Sequence, residues 1–197
     1  MGFLSVLSTA HRWIAERVQP GSAVIDATVG GGVDARFLAE TVGPKGVLYG
    51  FDIQAEALLR TEARLAPLRE QNLLPEVHLL QSSHSEMERS IPRELHGTIA
   101  AIMFNLGYLP GADTTLVTLP ETTLAALDAS MRLLAPGGIL TCVLYPGHPG
   151  GREEADAVEG WAAALPSALG QAALYRMIQK PAAPYLVAIE KRTSISL

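Results

Sequence analysis

The chain has 197 residues, with 15 Lys and Arg against 20 Asp and Glu, for a formal net charge of −5. That length suits one domain with a buried core, and 48% hydrophobic against 18% charged residues excludes a largely disordered chain. The acidic balance argues against a protein that coats nucleic acid, while leaving room for a local basic patch that docks one folded RNA. The single cysteine, Cys142, excludes a disulfide framework and a thiolate-rich zinc site and fits a reducing compartment.

Apolar residues at Phe3, Leu4, Leu7, Ala10, Ile14 and Val18 recur at helical spacing until Pro20-Gly21. With no basic residue ahead of it and Arg12, Glu16 and Arg17 following, residues 1–20 read as an amphipathic helix packed on a single domain over 1–197. They do not read as a signal peptide. Ala23–Thr28 is a short buried strand running into Gly30-Gly31-Gly32, and Val33–Thr41 is a helix closed by Gly43-Pro44. Strands follow at Val47–Ile53, Val77–Gln81, Thr98–Phe104 and Ile139–Leu144. The helices between and after them are Ala55–Leu65, Leu119–Leu134 and Glu153–Leu165. Ala173–Ile178 and Leu186–Glu190 read as two last strands; the short Gln179–Tyr185 link can join antiparallel strands but cannot hold a crossover helix. The stretch from Leu133 to Gly151 lacks charge but carries five glycines and three prolines, so it is no membrane helix. The expected fold is α/β: a seven-stranded, mostly parallel sheet with an antiparallel C-terminal hairpin and helices on both faces. A cytoplasmic location with no membrane partner is expected.

In such open sheets ligands lie beyond the carboxyl ends of the strands. After the first strand comes Asp26-Ala27-Thr28-Val29-Gly30-Gly31-Gly32, a turn whose glycines let the backbone approach a ligand and whose following helix offers free N–H groups. After the second strand comes Asp52, twenty positions beyond Gly32, where a carboxylate can accept both hydroxyls of a ribose. Together they point to a nucleoside-containing cofactor. Gly30-x-Gly32-x-x-Ala35 also fits the dinucleotide fingerprint, so a nicotinamide enzyme competes. Asp26 tilts against it, because a carboxylate in the turn repels a pyrophosphate but can hold an ammonium or a ligating water.

Ser82-Ser83-His84 follows the third strand, where such folds contact adenine; Ser83 is equally readable as a helix N-cap. The fourth strand ends in Asn105-Leu106-Gly107-Tyr108, which resembles the Asn-Pro-Pro-Tyr signature of amino-group methyltransferases. An Asn oxygen there accepts an amine's hydrogens and aims its lone pair, and Tyr108 can wall in a planar base; a plain loop turn is the bland reading. The fifth strand ends in Tyr145-Pro146-Gly147-His148, and His148 is either a proton acceptor at the cleft mouth or a solvated loop residue.

On these residues the chain resembles the small S-adenosylmethionine-dependent methyltransferases once labelled rRNA methylases and associated with methylating 5-aminomethyl-2-thiouridine at the tRNA wobble position. The resemblance runs through Ala10-His11, Asp26–Gly32 with Asp34, Phe51-Asp52-Ile53-Gln54, Ser83-His84, Phe104–Gly111, Gly147-His148-Pro149, Asp156-Ala157-Val158 and Ile189-Glu190-Lys191. It departs at Gly31, where the family usually has Asn, and at Thr114, Pro146 and Gly150, where it has Lys, His and Glu. The resemblance implies S-adenosylmethionine as cofactor, held by Asp26, Thr28, Gly30, Gly31, Gly32, Asp34, Asp52, Gln54, Ser83 and His84. It implies Asn105, Tyr108 and His148 as catalytic residues, the anticodon region of tRNA as partner, and no metal; a homodimer stays open. The other readings are methylation of rRNA or of a small-molecule amine, a non-catalytic S-adenosylmethionine-binding module, and a dehydrogenase. Arg12, Arg17, Arg60, Arg64 and Arg69 belong either to a basic docking surface or to solvated helix faces.

Overall fold

The structure is a computed structural model describing residues 2–107, 119–180 and 182–192. Seven strands form one sheet: β1 (Ala23–Asp26), β2 (Val47–Asp52), β3 (Glu76–Gln81), β4 (Ile99–Leu106), β5 (Leu134–Leu144), β6 (Gly170–Tyr175) and β7 (Tyr185–Lys191), in the order β3-β2-β1-β4-β5-β7-β6. Neighbours among β1–β5 are parallel, whereas β7 is antiparallel to both β5 and β6. Order reverses between β1 and β4, which places the crevice over the ends of those strands. The helices are α1 (Val6–Ala15), α2 (Val33–Val42), α3 (Ala55–Glu70), the short α4 (Met87–Ser90), α5 (Pro120–Leu133) and α6 (Gly151–Ala164).

The central strands are apolar on both faces because both are covered. Along β4, Ala101 and Met103 join the core under α1, α2 and α3, while Ile102 and Phe104 join the core under α4, α5 and α6. The same two-residue alternation runs through β5, where Val143 faces the first core and Cys142 and Leu144 the second. Each large side chain buried this way, such as Phe51 or Phe104, contributes about 1.5–3 kcal/mol. α1 seats Ala10 and Ile14 in the first core, with Ile139, Val143 and Leu186. That docking carries the chain's N-terminal helix to the same sheet end as the crevice.

The expected architecture holds, and three of the boundary shifts are instructive. α3 continues to Glu70 through Pro67, since Leu65 and Leu68 are both buried and their packing offsets the helical hydrogen bond that the proline removes. β5 begins at Leu134, pairs Ile99 there, and then bulges before Ala101 pairs Ile139. β6 starts and ends three residues before the expected strand. It is the sheet's edge, and Gln171–Leu174 are exposed on both sides, so no hydrophobic pattern marks its limits.

Candidate functional site

A cleft of about 520 Å³ opens over the carboxyl ends of β1, β2, β4 and β5. Its β1–β2 side is organised by one carboxylate. Asp52, the last residue of β2, accepts the Gly30 N–H on Oδ2 at 3.0 Å and the Gln54 N–H on Oδ1 at 2.9 Å. The turn is thereby pinned to the neighbouring strand, and each carboxylate oxygen keeps a lone pair for a hydroxyl. Gly30 has φ +49°, a region that L side chains enter at a cost. At Gly31 a Cβ would meet nothing within 4 Å, while its carbonyl accepts from the Arg64 guanidinium.

The opposite side is a side-chain network spanning four elements. Asn105, near the end of β4, donates its backbone N–H to Thr28 Oγ1 at 2.8 Å, which ties β4 to the glycine turn. Its Nδ2 donates to Asp34 Oδ2 at 3.4 Å, and its side chain hydrogen-bonds the Tyr145 hydroxyl. Asp34, in the first turn of α2, also holds His11 Nε2 on Oδ1 at 2.6 Å, and the His11 ring lies stacked on Phe37 with centroids 3.9 Å apart. Gly107 is close beneath the Tyr145 ring, which a Cβ would meet at 3.3 Å. A Pro-Pro pair in the signature is thus replaced by Leu106, buried in the core, and a glycine that admits an aromatic ring.

Burial shifts the acids and bases here in different directions. Asp26 is fully buried below the turn; desolvation, then the charges of Asp34 and Asp52, holds its carboxyl well above the usual range despite the Thr28 N–H bonded to it. Tyr145 is raised by burial and by Asp34, so it stays a neutral hydroxyl. His84 is lowered by burial to about 4 and packs edge-on against Phe104, with Nε2 unpartnered. It is a neutral imidazole near neutral pH.

The cleft brings together Thr28, Gly30, Gly31, Asp34, Asp52, Gln54, Ser83, His84, Asn105 and His148 from the residues singled out by sequence. Two others lie off its lining. Asp26 is below the floor, and Gly32 is a packing residue: with φ +75°, a Cβ there would meet Thr61 of α3 at 2.8 Å. Ser83 also fills the capping role, its Oγ accepting the Ser85 N–H at 3.2 Å. His148 Nδ1 contacts the Pro149 carbonyl at 2.9 Å. Tyr108 lies outside the described residues. The sequence reading did not assign Tyr145 or His11 to the site. Tyr145 sits directly after β5, where the strand-end rule points, and His11 is a polar residue beside the buried stripe of α1.

The residues suit a nucleoside cofactor: a strand-end carboxylate, Asp52, beside a glycine turn whose Gly30 and Gly31 line the cleft. A family model described as "Putative rRNA methylase" matches residues 48–190. The chain belongs to this family. It is 38% identical over 93% of its length to the "tRNA (mnm(5)s(2)U34)-methyltransferase, chloroplastic" of Arabidopsis thaliana, covering 68% of that protein. The crystal structure of a putative rRNA-methylase from Clostridium thermocellum superposes with TM-score 0.89 at 36% identity, covering 97% of this chain and 100% of the other. A putative methyltransferase from Streptococcus mutans, solved in complex with SAH, gives TM-score 0.83 at 30% identity over 96% of this chain and 99% of the other. This rRNA-methylase family member is therefore an S-adenosylmethionine-dependent methyltransferase with the class I fold, and the dehydrogenase reading is set aside.

Proposed function

We propose that this enzyme methylates the primary amine of a 5-aminomethyl group on a tRNA wobble (2-thio)uridine, giving the methylaminomethyl product. The observation that carries the reading is the fixing of Asn105 at the cleft floor by Thr28, Asp34 and Tyr145. With Nδ2 turned to Asp34, the amide oxygen remains as the acceptor for an amine N–H. The name of the Arabidopsis relative, a tRNA methyltransferase, supports the RNA and the position.

S-adenosylmethionine supplies an electrophilic methyl group on a sulfonium. The chain's own residues do the rest. Asp52 accepts the ribose hydroxyls, with Gln54 beside it. Gly30 and Gly31 admit the amino-acid portion, and Ser83 and His84 border the base. A free alkylamine has a pKa of about 10 and is mostly protonated near neutral pH. The partly desolvated cleft favours its neutral form, and Asn105 aligns the lone pair for in-line attack. Tyr145, kept as a neutral hydroxyl, holds the Asn105 side chain in that orientation.

The family's description favours a second reading, in which rRNA carries the amine or base that is methylated. Incubation with methyl-labelled S-adenosylmethionine and either tRNA or rRNA lacking the modification separates the two. Label confined to tRNA is the expected result; label confined to rRNA contradicts the tRNA reading. Binding of the cofactor with no transfer to either RNA identifies a non-catalytic module.

A further inference from the structure

Asp34 is held from two sides, and its only ion-pair partner among the described residues is His11. No lysine or arginine among the described residues pairs with it, and its side chain is 8% exposed while lining the cleft. His11 grips Oδ1 from α1 and is itself fixed by the Phe37 stack. Oδ2 is thereby left on the Asn105 side of the cleft. A carboxylate so restrained, beside the residue that orients the amine, meets the nitrogen where positive charge appears.

We propose that the Asp34 carboxylate is a further catalytic residue, stabilising the positive charge that grows on the amine nitrogen, and that His11 is its positioning residue. The proposal rests on the amine reading above. In the transfer, the nitrogen lone pair forms the new N–C bond and the C–S bond breaks, its electron pair returning to sulfur. The nitrogen keeps both protons and takes over the positive charge, so a neutral primary amine becomes a secondary ammonium. No proton acceptor is required in that step. A fixed anion at the nitrogen is required instead, since it is worth most where charge develops in a dry site and need not reorganise. The deeper Asp26 does not compete, because burial and the Asp34 charge hold it toward its neutral acid. The Asp52 carboxylate is occupied on the β2 side by two backbone N–H groups.

The competing role for Asp34 is to hold the ammonium of the cofactor's amino-acid portion. Three variants and two ligands decide between them: Asp34→Asn, His11→Ala and His11→Gln, with calorimetry of S-adenosylhomocysteine, which carries that ammonium, and of methylthioadenosine, which lacks it. Asp34→Asn is expected to bind both ligands within about threefold of the unsubstituted protein while kcat falls about a hundredfold or more. His11→Ala is expected to lower kcat at least about tenfold. His11→Gln restores most of it, because an amide N–H can donate to Oδ1 as the ring nitrogen does. Loss of S-adenosylhomocysteine affinity with methylthioadenosine affinity retained in Asp34→Asn overturns the proposal and makes Asp34 a cofactor ligand. So does an unchanged kcat in that variant. Failure of the unsubstituted protein to methylate the tRNA amine overturns the tRNA reading on which this proposal rests, and the proposal with it; active unsubstituted protein with unimpaired Asp34→Asn overturns this proposal alone.

Discussion

The β1–β2 wall of the cleft and the β4–β5 wall face each other across the same space but are held by different kinds of contact. On the first, backbone N–H groups of Gly30 and Gln54 converge on one carboxylate, Asp52, all within elements adjacent in sequence and paired in the sheet. On the second, side chains from α1, α2 and the ends of β4 and β5 bond one another: His11, Asp34, Asn105 and Tyr145. Backbone-built geometry depends little on the identity of neighbouring side chains. A side-chain network can be altered one atom at a time, so the wall we assign to the cofactor and the wall we assign to the acceptor can vary separately.

The sharpest way to break the first wall is Gly30→Val. A β-branched residue at φ +49° is strained, and its side chain enters ligand space. Calorimetry is expected to detect no cofactor binding, with the far-ultraviolet circular dichroism preserved. Asn105→Ala breaks the second wall and leaves the first. Methyl transfer is expected to slow about a hundredfold or more, chiefly in kcat, with cofactor Kd changing little, because misalignment acts on the transition state. A drop confined to cofactor affinity would move Asn105 to the first wall. Asp52→Ala removes an acceptor of charge-assisted hydrogen bonds worth roughly 1.5–3 kcal/mol, so cofactor affinity is expected to fall about tenfold or more.

Acid sensitivity sharpens the comparison from His84, which lines the cleft after β3. His84 binds its proton at about 4 when folded against an ordinary 6.5. The unfolded chain therefore takes up a proton that the folded one refuses, and stability falls as pH drops from 6.5 toward 4. The full loss is about 3 kcal/mol, reached below the folded value. Urea midpoints measured across that window are expected to slope less in His84→Gln. The smallest effect is expected at Cys142, which lies mid-strand with no exposure, its thiol pushed up by burial. Cys142→Ala is expected to retain kcat while losing about 1 kcal/mol of stability in the same urea titrations.

The first wall was legible in the sequence because its signals are local. A strand followed by glycines, and an acid at the end of the next strand, fix a turn and an acceptor whatever else surrounds them. The second wall was legible at Asn105, where a strand-end motif exists, and at Asp34 only through the resemblance, which implied a cofactor contact. His11 and Asp34 are 23 positions apart and Asp34 and Asn105 are 71 apart, so their meeting follows from how α1 docks on β5 and β7, which no spacing encodes. Gly32 shows a demand the glycine run does not reveal: the packing of α2 on α3 requires a glycine there. The sheet itself was legible from its buried runs, and β6 shifted because an exposed edge strand carries no such run.

The central claim is that the acceptor is a primary amine on the wobble nucleoside. Mass analysis of nucleosides digested from tRNA, before and after incubation with the enzyme and S-adenosylmethionine, tests it most directly. The account predicts that the 5-aminomethyl-2-thiouridine signal is lost and replaced by a nucleoside heavier by one methylene, with the added mass retained on the 5-substituent fragment. An unchanged aminomethyl nucleoside alongside methylation of any other base or of a ribose would contradict it.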